Sequence, residues 1–167
     1  EAGAESMGVF KVAASGGPVT KIFSGAPLQS PLGIAISSDD KTLYIADSAA
    51  GHDPNDPDAR PGVGQIFKLP VAGGTPMVVS GTEGTRPRGL DLRAEGNNDV
   101  LYFSGNDPQS GAPALLRIGT GGLTTVASGE PFHDPSGVAV ADNGDVYVTD
   151  STGSGGSSRA SVIKVAG

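Results

Sequence analysis

Two arginines and a histidine are the residues of this sequence best suited to bind or transform a ligand. Arg86 and Arg88 precede one apolar run, and His133 precedes another. They lie in equivalent connections of an internal repeat, so we expect the three side chains to gather at one end of the fold. Cations gathered there could hold an anionic ligand through charge-assisted hydrogen bonds. His133, between Phe132 and Asp134, could instead be a general base oriented by a carboxylate.

A structural role for the same residues is the alternative, and the sequence favours it. The two arginines would then pair with nearby acids such as Glu83 or Asp107, and His133 would be a polar loop residue. The sequence contains no Gly-x-Ser-x-Gly nucleophile motif, so no catalytic residue is assigned. The candidate ligand-binding residues are Arg86, Arg88, His133, Ser136, Asn106 and Asp107.

A polar insertion at residues 51–62 carries the oxygen atoms that would suit a metal ion. The candidate ligands are Asp53, Asn55, Asp56 and Asp58. The insertion resembles a calcium-binding loop only in part, because Pro57 stands at the third ligand position and no closing Glu follows at the required spacing. Its three prolines predict a stiff, solvated connection. Calcium or partner binding there is the less favoured interpretation.

The elements that must position these residues repeat along the chain. A Pro-x-Gly sequence opens an alternating apolar segment three times, at residues 31–36, 87–92 and 135–140. A second strand kind is centred on Tyr44, Tyr102 or Tyr147. A third kind carries one cation, at Lys11, Lys68, Arg117 or Lys164, and a fourth ends in Ser-Gly at residues 24–25, 80–81 and 128–129. Period-2 alternation with Gly, Asn, Asp and Pro in the connections predicts antiparallel β-meanders.

The spacing of the repeat predicts an all-β fold of four-stranded β-propeller blades. The cations of the third strand kind are 57, 49 and 47 residues apart. The predicted repeats are residues 8–30, 31–86, 87–134 and 135–167, which together hold thirteen strands, or about three blades of a single partial domain. Propellers close with about 4 to 8 blades. We therefore expect a missing part of the chain, or a second copy, to supply the remaining blades.

Residues 31–47 and 135–150 resemble the repeats of six-bladed NHL-type propellers and are similar to those of gluconolactonase-like propellers. The resemblance implies a partial six-bladed propeller. In the gluconolactonase-like family, a divalent cation is held by Asn or Asp at the middle residue of the Pro-x-Gly motif. The corresponding residues here are Leu32, Arg88 and Ser136, of which only Ser136 offers a side-chain oxygen.

Composition narrows the function further. The chain has 11 Lys and Arg against 18 Asp and Glu, a net charge of -7, which disfavours nucleic acid as a partner. No apolar stretch approaches the roughly 20 residues of a membrane helix. The acidic, Cys-free composition suggests an extracellular or periplasmic protein. We predict a non-catalytic module that needs no cofactor and binds a protein or carbohydrate through its loop rim, the connections that follow Asp47, Ser104 and Asp150. The alternative is a metal-dependent, lactonase-like hydrolase or lyase that acts in the central channel, with calcium as the possible metal.

Overall fold

The computed structural model describes residues 7–51, 64–152 and 160–167. Strands and their connections make up this part of the chain, and no helix occurs in it. The thirteen strands are β1 (Gly8–Lys11), β2 (Thr20–Ser24), β3 (Pro31–Ile36), β4 (Thr42–Asp47), β5 (Gln65–Pro70), β6 (Met77–Val78), β7 (Leu90–Glu95), β8 (Asn98–Asn106), β9 (Pro113–Gly119), β10 (Gly122–Ser128), β11 (Pro135–Val140), β12 (Val146–Asp150) and β13 (Ser161–Val165).

The strands form antiparallel meanders in chain order. Sheets of two, four, four and three strands are built from β1–β2, β3–β6, β7–β10 and β11–β13. The predicted all-β class and four-stranded blade pattern are therefore confirmed. Asp39-Asp40 and Asn143-Gly144 are residue pairs typical of hairpin turns, and they join first to second strands, with positive φ at Asp40 and Gly144. That the sheets are one partial propeller domain stays a prediction.

The connection between β8 and β9 begins later than the local sequence predicts. The turn-forming residues 104–111 predict a connection that begins at Ser104, but β8 continues through Asn106. The ladder with β9 extends to this point, with Gly105 opposite Ala114 and Asn106 opposite Pro113. Continued backbone pairing thus outweighs the turn preference of the Ser-Gly-Asn sequence.

The hydrophobic core lies between successive sheets. Alternate residues of one strand face two different apolar clusters: Ile45 packs with Phe67 on one side of the β3–β6 sheet, while Ala46 packs with Ile66 and Phe103 on the other. On β8, Phe103 and Tyr102 likewise face opposite sides of the sheet and belong to two different apolar clusters. Because both faces of the middle sheets are covered, their strands are apolar on both sides. The sheets therefore stack in sequence order with their first strands adjacent.

Candidate functional site

Successive sheets approach each other most closely at the Pro-x-Gly segments. A Cβ atom on Gly33 would overlap the carbonyl oxygen of Arg88, and one on Gly89 would overlap the carbonyl oxygen of Ser136. Glycine at these two positions lets the first strands of neighbouring sheets meet backbone to backbone. The middle residues Leu32, Arg88 and Ser136 consequently lie at one end of the stacked sheets.

An open depression of about 430 Å³ occupies this end of the fold. It is lined by Leu32, Ser48, Arg86, Arg88, Gly89, Ser136 and Gly137. The lining combines an exposed apolar side chain, two hydroxyl groups, two guanidinium groups and bare glycine backbone. A few convergent polar groups beside apolar surface are typical of ligand sites.

A buried aspartate fixes the loop that leads into the first of these segments. Asp47, at the end of β4, is fully buried. Its carboxylate accepts hydrogen bonds from the backbone N–H groups of Gln29 at 2.8 Å and Ser30 at 2.9 Å. It also accepts one from Ala49 at 3.1 Å. Hydrogen bonds to a charged acceptor are stronger than neutral ones, so this part of the rim is held rigidly.

Asp150 repeats the arrangement at the end of β12. Its carboxylate accepts the backbone N–H of His133 at 2.8 Å and that of Asp134 at 3.1 Å. The N–H of Thr152 donates to it at 3.0 Å. Sequence reasoning gave these aspartates no role, although their recurrence at the end of the Tyr-containing strand was the available signal. Each aspartate positions a rim loop.

In the repeat between them Gly105 stands at the place of this aspartate, and the serine one residue earlier makes the connecting hydrogen bonds instead. The Ser104 hydroxyl donates to the carbonyl of Ser136 at 2.6 Å and accepts the N–H of Gly89 at 2.9 Å. The side chain is fully buried. It thus ties two Pro-x-Gly segments together across the boundary between sheets.

Arg88 forms an ion pair with Asp134 of the next Pro-x-Gly loop. The predicted partners Glu83 and Asp107 are wrong, because stacking of the sheets brings a residue 46 positions along the chain within reach. Asp134 also accepts a hydrogen bond from the Ser151 hydroxyl. This bond, together with Arg88, lowers the pKa of Asp134 below its ordinary value. Arg88 is thus partly neutralised.

The Asp107 carboxylate forms hydrogen bonds within the β8–β9 connection and to β10. Its carboxylate accepts hydrogen bonds from the Thr125 hydroxyl at 2.5 Å and from the N–H of Ser110 at 2.7 Å. These bonds, the one from Thr125 first, lower the pKa of Asp107 to about 2. The neighbouring Asn106 donates its backbone N–H to the carbonyl of Thr85 at 2.6 Å. Asp107 therefore organises a loop and does not line the depression.

Arg86 has no acidic partner among the described residues of the rim. It is exposed, follows the buried Thr85, and has a φ of 46°, in the left-handed region that non-glycine residues seldom adopt. Its backbone is confined, because a Cβ atom on Gly64 would press on the Arg86 Cα. Among the residues that the structure describes, no acidic side chain pairs with its guanidinium. A rigid backbone thus presents to the depression a cation that pairs with no described acidic residue.

His133 lies beside the two arginines but outside the main depression. A narrow cleft of about 40 Å³ is lined by Arg86, Arg88 and His133 together with Asn106. The imidazole Nε2 is 3.2 Å from a Glu130 carboxylate oxygen. A carboxylate thus lies beside the ring, whereas that of the adjacent Asp134 binds Arg88 and Ser151. The role of His133 as a general base stays a prediction.

The described part of the chain offers no preformed metal centre. Over these residues no group of three or more His, Asp or Glu side chains lies close enough to hold an ion. The candidate ligands Asp53, Asn55, Asp56 and Asp58 lie outside the described residues. Nor does a helix in the described ranges have the length and hydropathy to cross a membrane. Calcium at the insertion stays a prediction.

Comparison with known proteins identifies one of the repeats. Residues 132–155 match the family model of the NHL repeat. The match takes in the Phe132–Asp134 loop fixed by Asp150, the third Pro-x-Gly segment, β11 and β12. No curated protein matches the chain. The chain thus carries an NHL repeat within antiparallel sheets of the β-propeller kind.

Proposed function

We propose that this chain is a non-catalytic propeller module that binds a protein ligand at the rim around its Pro-x-Gly segments. Propeller modules of NHL repeats often bind proteins. The observation that carries the proposal is the exposed Arg86, with which no acidic residue of the described ranges pairs and which is held at positive φ beside a depression where three repeats converge. Strained backbone that the surrounding structure maintains often marks a functional position.

The charges of the chain indicate how much negative charge the ligand carries. A net charge of -7 repels extended polyanions, whereas Arg86 and Arg88 make this end of the fold locally cationic. Arg88 already shares its charge with Asp134, which leaves Arg86 to receive one carboxylate. The ligand should therefore carry a single acidic side chain at this point rather than an acidic run.

The remaining lining residues favour a peptide segment. Leu32 is 60% exposed and offers an apolar contact beside the cation. Ser48 and Ser136 supply hydroxyl groups that can bond to a peptide backbone. Among the described residues that line the depression there is no aromatic ring, on which sugar rings commonly stack, so we favour protein over carbohydrate. An acidic residue next to an apolar one is the expected recognition feature.

Selection from a displayed random-peptide library tests this proposal. Peptides would be selected on the full chain and compared for binding to Arg86→Asn and Lys41→Asn variants. Asn tolerates positive φ, so the first change removes the cation with little effect on the backbone. Lys41 is the matched control because it lies at the opposite end of β3, beside Asp39.

The expected peptides pair an acidic with an apolar residue and lose about tenfold or more in affinity for Arg86→Asn, since a charge-assisted hydrogen bond contributes about 1.5–3 kcal/mol. The Lys41→Asn variant should bind them as the parent chain does. Peptides that bind Arg86→Asn unchanged, or a selection that enriches none, would count against the rim site. An oligosaccharide panel run in parallel tests the carbohydrate alternative.

The second candidate is the lactonase-like hydrolase suggested by the sequence resemblance. It needs a cation in the channel, yet Leu32 and Arg88 occupy two of the family's ligand positions and only Ser136 provides oxygen. Calcium prefers 6 to 8 oxygen ligands. Melting the chain over a calcium titration separates the candidates: a saturable rise in Tm would support the metal-dependent function, because an ion that binds the folded state stabilises it.

A further inference from the structure

The apolar outer face of β3 is uncovered. Leu32, Ile34 and Ile36 alternate along this strand, and Ile34 is 53% exposed. Leu90 occupies the same position of the next repeat, directly after Gly89, and is only 8% exposed. Leu90 is buried because the β3–β6 sheet covers it with Ala46 and Ile66. Both β3 and β7 are strands of the first kind. The difference in exposure between Ile34 and Leu90 therefore comes from the sheet that packs against each strand.

The sheet next to β3 on this side is the β1–β2 sheet, which has two strands where the middle sheets have four. β1 and β2 are of the third and fourth strand kinds, and no first or second strand is paired to them within the described residues. Two adjoining cavities of about 510 and 300 Å³ lie between β1 and β3. Phe10, 55% exposed, and Ile34 line both of them. The space is therefore apolar, strand-edged and continuous with the cluster of Val9, Ile45 and Phe67.

We propose that this face docks a β-hairpin made of a first and a second strand of the same repeat kind. The second strand of the hairpin would pair antiparallel with the free edge of β1, and the first would pack on Leu32, Ile34 and Ile36. The inference rests on repeat equivalence and is independent of the rim site. It describes how the sheet that begins with β1 is completed.

A second copy of this chain does not supply the hairpin. In the described residues each second-kind strand already pairs with a third-kind strand: β4 with β5, β8 with β9, and β12 with β13. The edge that β1 would need is occupied in every case. The hairpin that docks here must therefore have a second-kind strand whose outer edge is not already paired with a third-kind strand.

Two residues of the occupant follow from the register of the existing sheets. Every second-kind Tyr lies directly opposite a third-kind cation: Tyr44 opposite Lys68, Tyr102 opposite Arg117 and Tyr147 opposite Lys164. For the middle pair the guanidinium lies 5.6 Å from the ring centroid, within cation–π distance. The hairpin should therefore place a Tyr opposite Lys11.

Glycine is the second required residue. Gly33 faces the carbonyl of Arg88, and Gly89 faces that of Ser136, in both cases too closely for a side chain. Leu32 holds the equivalent place on β3. The first strand of the hairpin should therefore place a Gly against the Leu32 carbonyl.

A fusion protein tests the proposal. A copy of residues 135–150, the chain's own first and second strands, would be attached before Glu1 of the full chain. Residues 107–112 suffice to join β8 to β9, so residues 1–7 are long enough to join the added hairpin to β1. The matched control carries Val in the added copy at the position of Gly137 and Ser at that of Tyr147.

The added hairpin should raise Tm by several degrees and slow hydrogen exchange at the β1 amides that face away from β2. The control fusion should match the unfused chain in both measurements. Equal Tm and equal exchange for the two fusions would overturn the proposal. If the fusion does not fold, the peptide of residues 135–150 would be added to the full chain: saturable shifts of the Ile34 amide support docking, and their absence overturns it. A dimer of the unfused chain that the Ile34→Ser change converts to monomer would also overturn it, because the face would then bind a second copy.

Discussion

Gly89 faces the backbone carbonyl of Ser136 across the boundary between two sheets, and a Cβ atom at Gly89 would overlap that oxygen. The Ser104 hydroxyl bridges the same pair, accepting the Gly89 N–H and donating to the Ser136 carbonyl. The contact brings Arg88 and Ser136 to one depression. At this boundary, the packing of the two sheets and the construction of the rim therefore depend on the same close approach.

Gly89→Ala should lower the free energy of unfolding by about 1–3 kcal/mol, because the added methyl group forces the two first strands apart. Urea denaturation followed by circular dichroism measures the change. Gly121→Ala is the matched control, since its Cβ would meet no atom within 4 Å. It should cost nothing; an equal loss in both variants would contradict the close packing described here.

Asp150→Ala should lower the free energy of unfolding by about 1–3 kcal/mol, because buried N–H groups of the loop before β11 lose their acceptor. Asp150→Asn should cost less, since the amide oxygen still accepts. Thermal and urea unfolding would be compared with the exposed Asp142→Ala. If Asp150→Ala and Asp142→Ala unfold alike, the carboxylate does not hold the rim.

The repeat made most of the fold predictable. Pro-x-Gly, Tyr, cation and Ser-Gly mark four strand kinds, and these give thirteen strands in sheets of two, four, four and three. Local turn preference was a poorer guide to boundaries. β8 runs through Ser104 and Gly105, because pairing with β9 depends on a partner strand that the local sequence does not show.

The contacts of the site were less predictable than its location. Equivalent repeat positions indicated that Arg86 and Arg88 lie at one end, but the partner of Arg88 is 46 positions away. Sequence neighbours such as Glu83 have other roles: its carboxylate accepts the N–H of Gly81 at 2.7 Å. Pairings across sheets depend on how the sheets stack, which spacing along one strand does not encode.

Asp107 should titrate near its pKa of about 2, and Thr125→Val should raise that pKa, because the Thr125 hydroxyl is the foremost of the bonds that favour the carboxylate. Carboxyl ¹³C shifts followed over pH would report the titration. Thr124→Val, an exposed change one residue away, is the control. A pKa of Asp107 unmoved by Thr125→Val would contradict the bond.

The free energy of unfolding should depend on pH through the ionisation of the Asp107 carboxylate. The unfolded chain binds a proton at Asp107 near pH 3.9, above the folded value, so the unfolded state holds more protons between about pH 2 and 4. The contribution of Asp107 is therefore complete above this range and is lost as pH falls through it. The slope of unfolding free energy against pH should be shallower for Thr125→Val than for Thr124→Val; equal slopes would contradict the linkage.

Arg86→Gly should keep the stability of the chain or raise it by up to about 1 kcal/mol, because glycine adopts the observed φ of 46° without strain. Lys41→Gly, at a residue without positive φ, should lower it. Urea unfolding of both variants measures the difference. A loss for Arg86→Gly as large as for Lys41→Gly would mean that the side chain at 86 serves folding rather than binding.

Amide chemical-shift mapping tests the central claim, that a ligand binds where the Pro-x-Gly segments meet. The full ¹⁵N-labelled chain would be titrated with the tightest peptide from the library selection. We predict saturable shifts at Leu32, Arg86, Gly89 and Ser136, with no change in the turns that contain Lys41 and Gly144. Shifts confined to those turns, at the opposite end of the strands, would contradict the account.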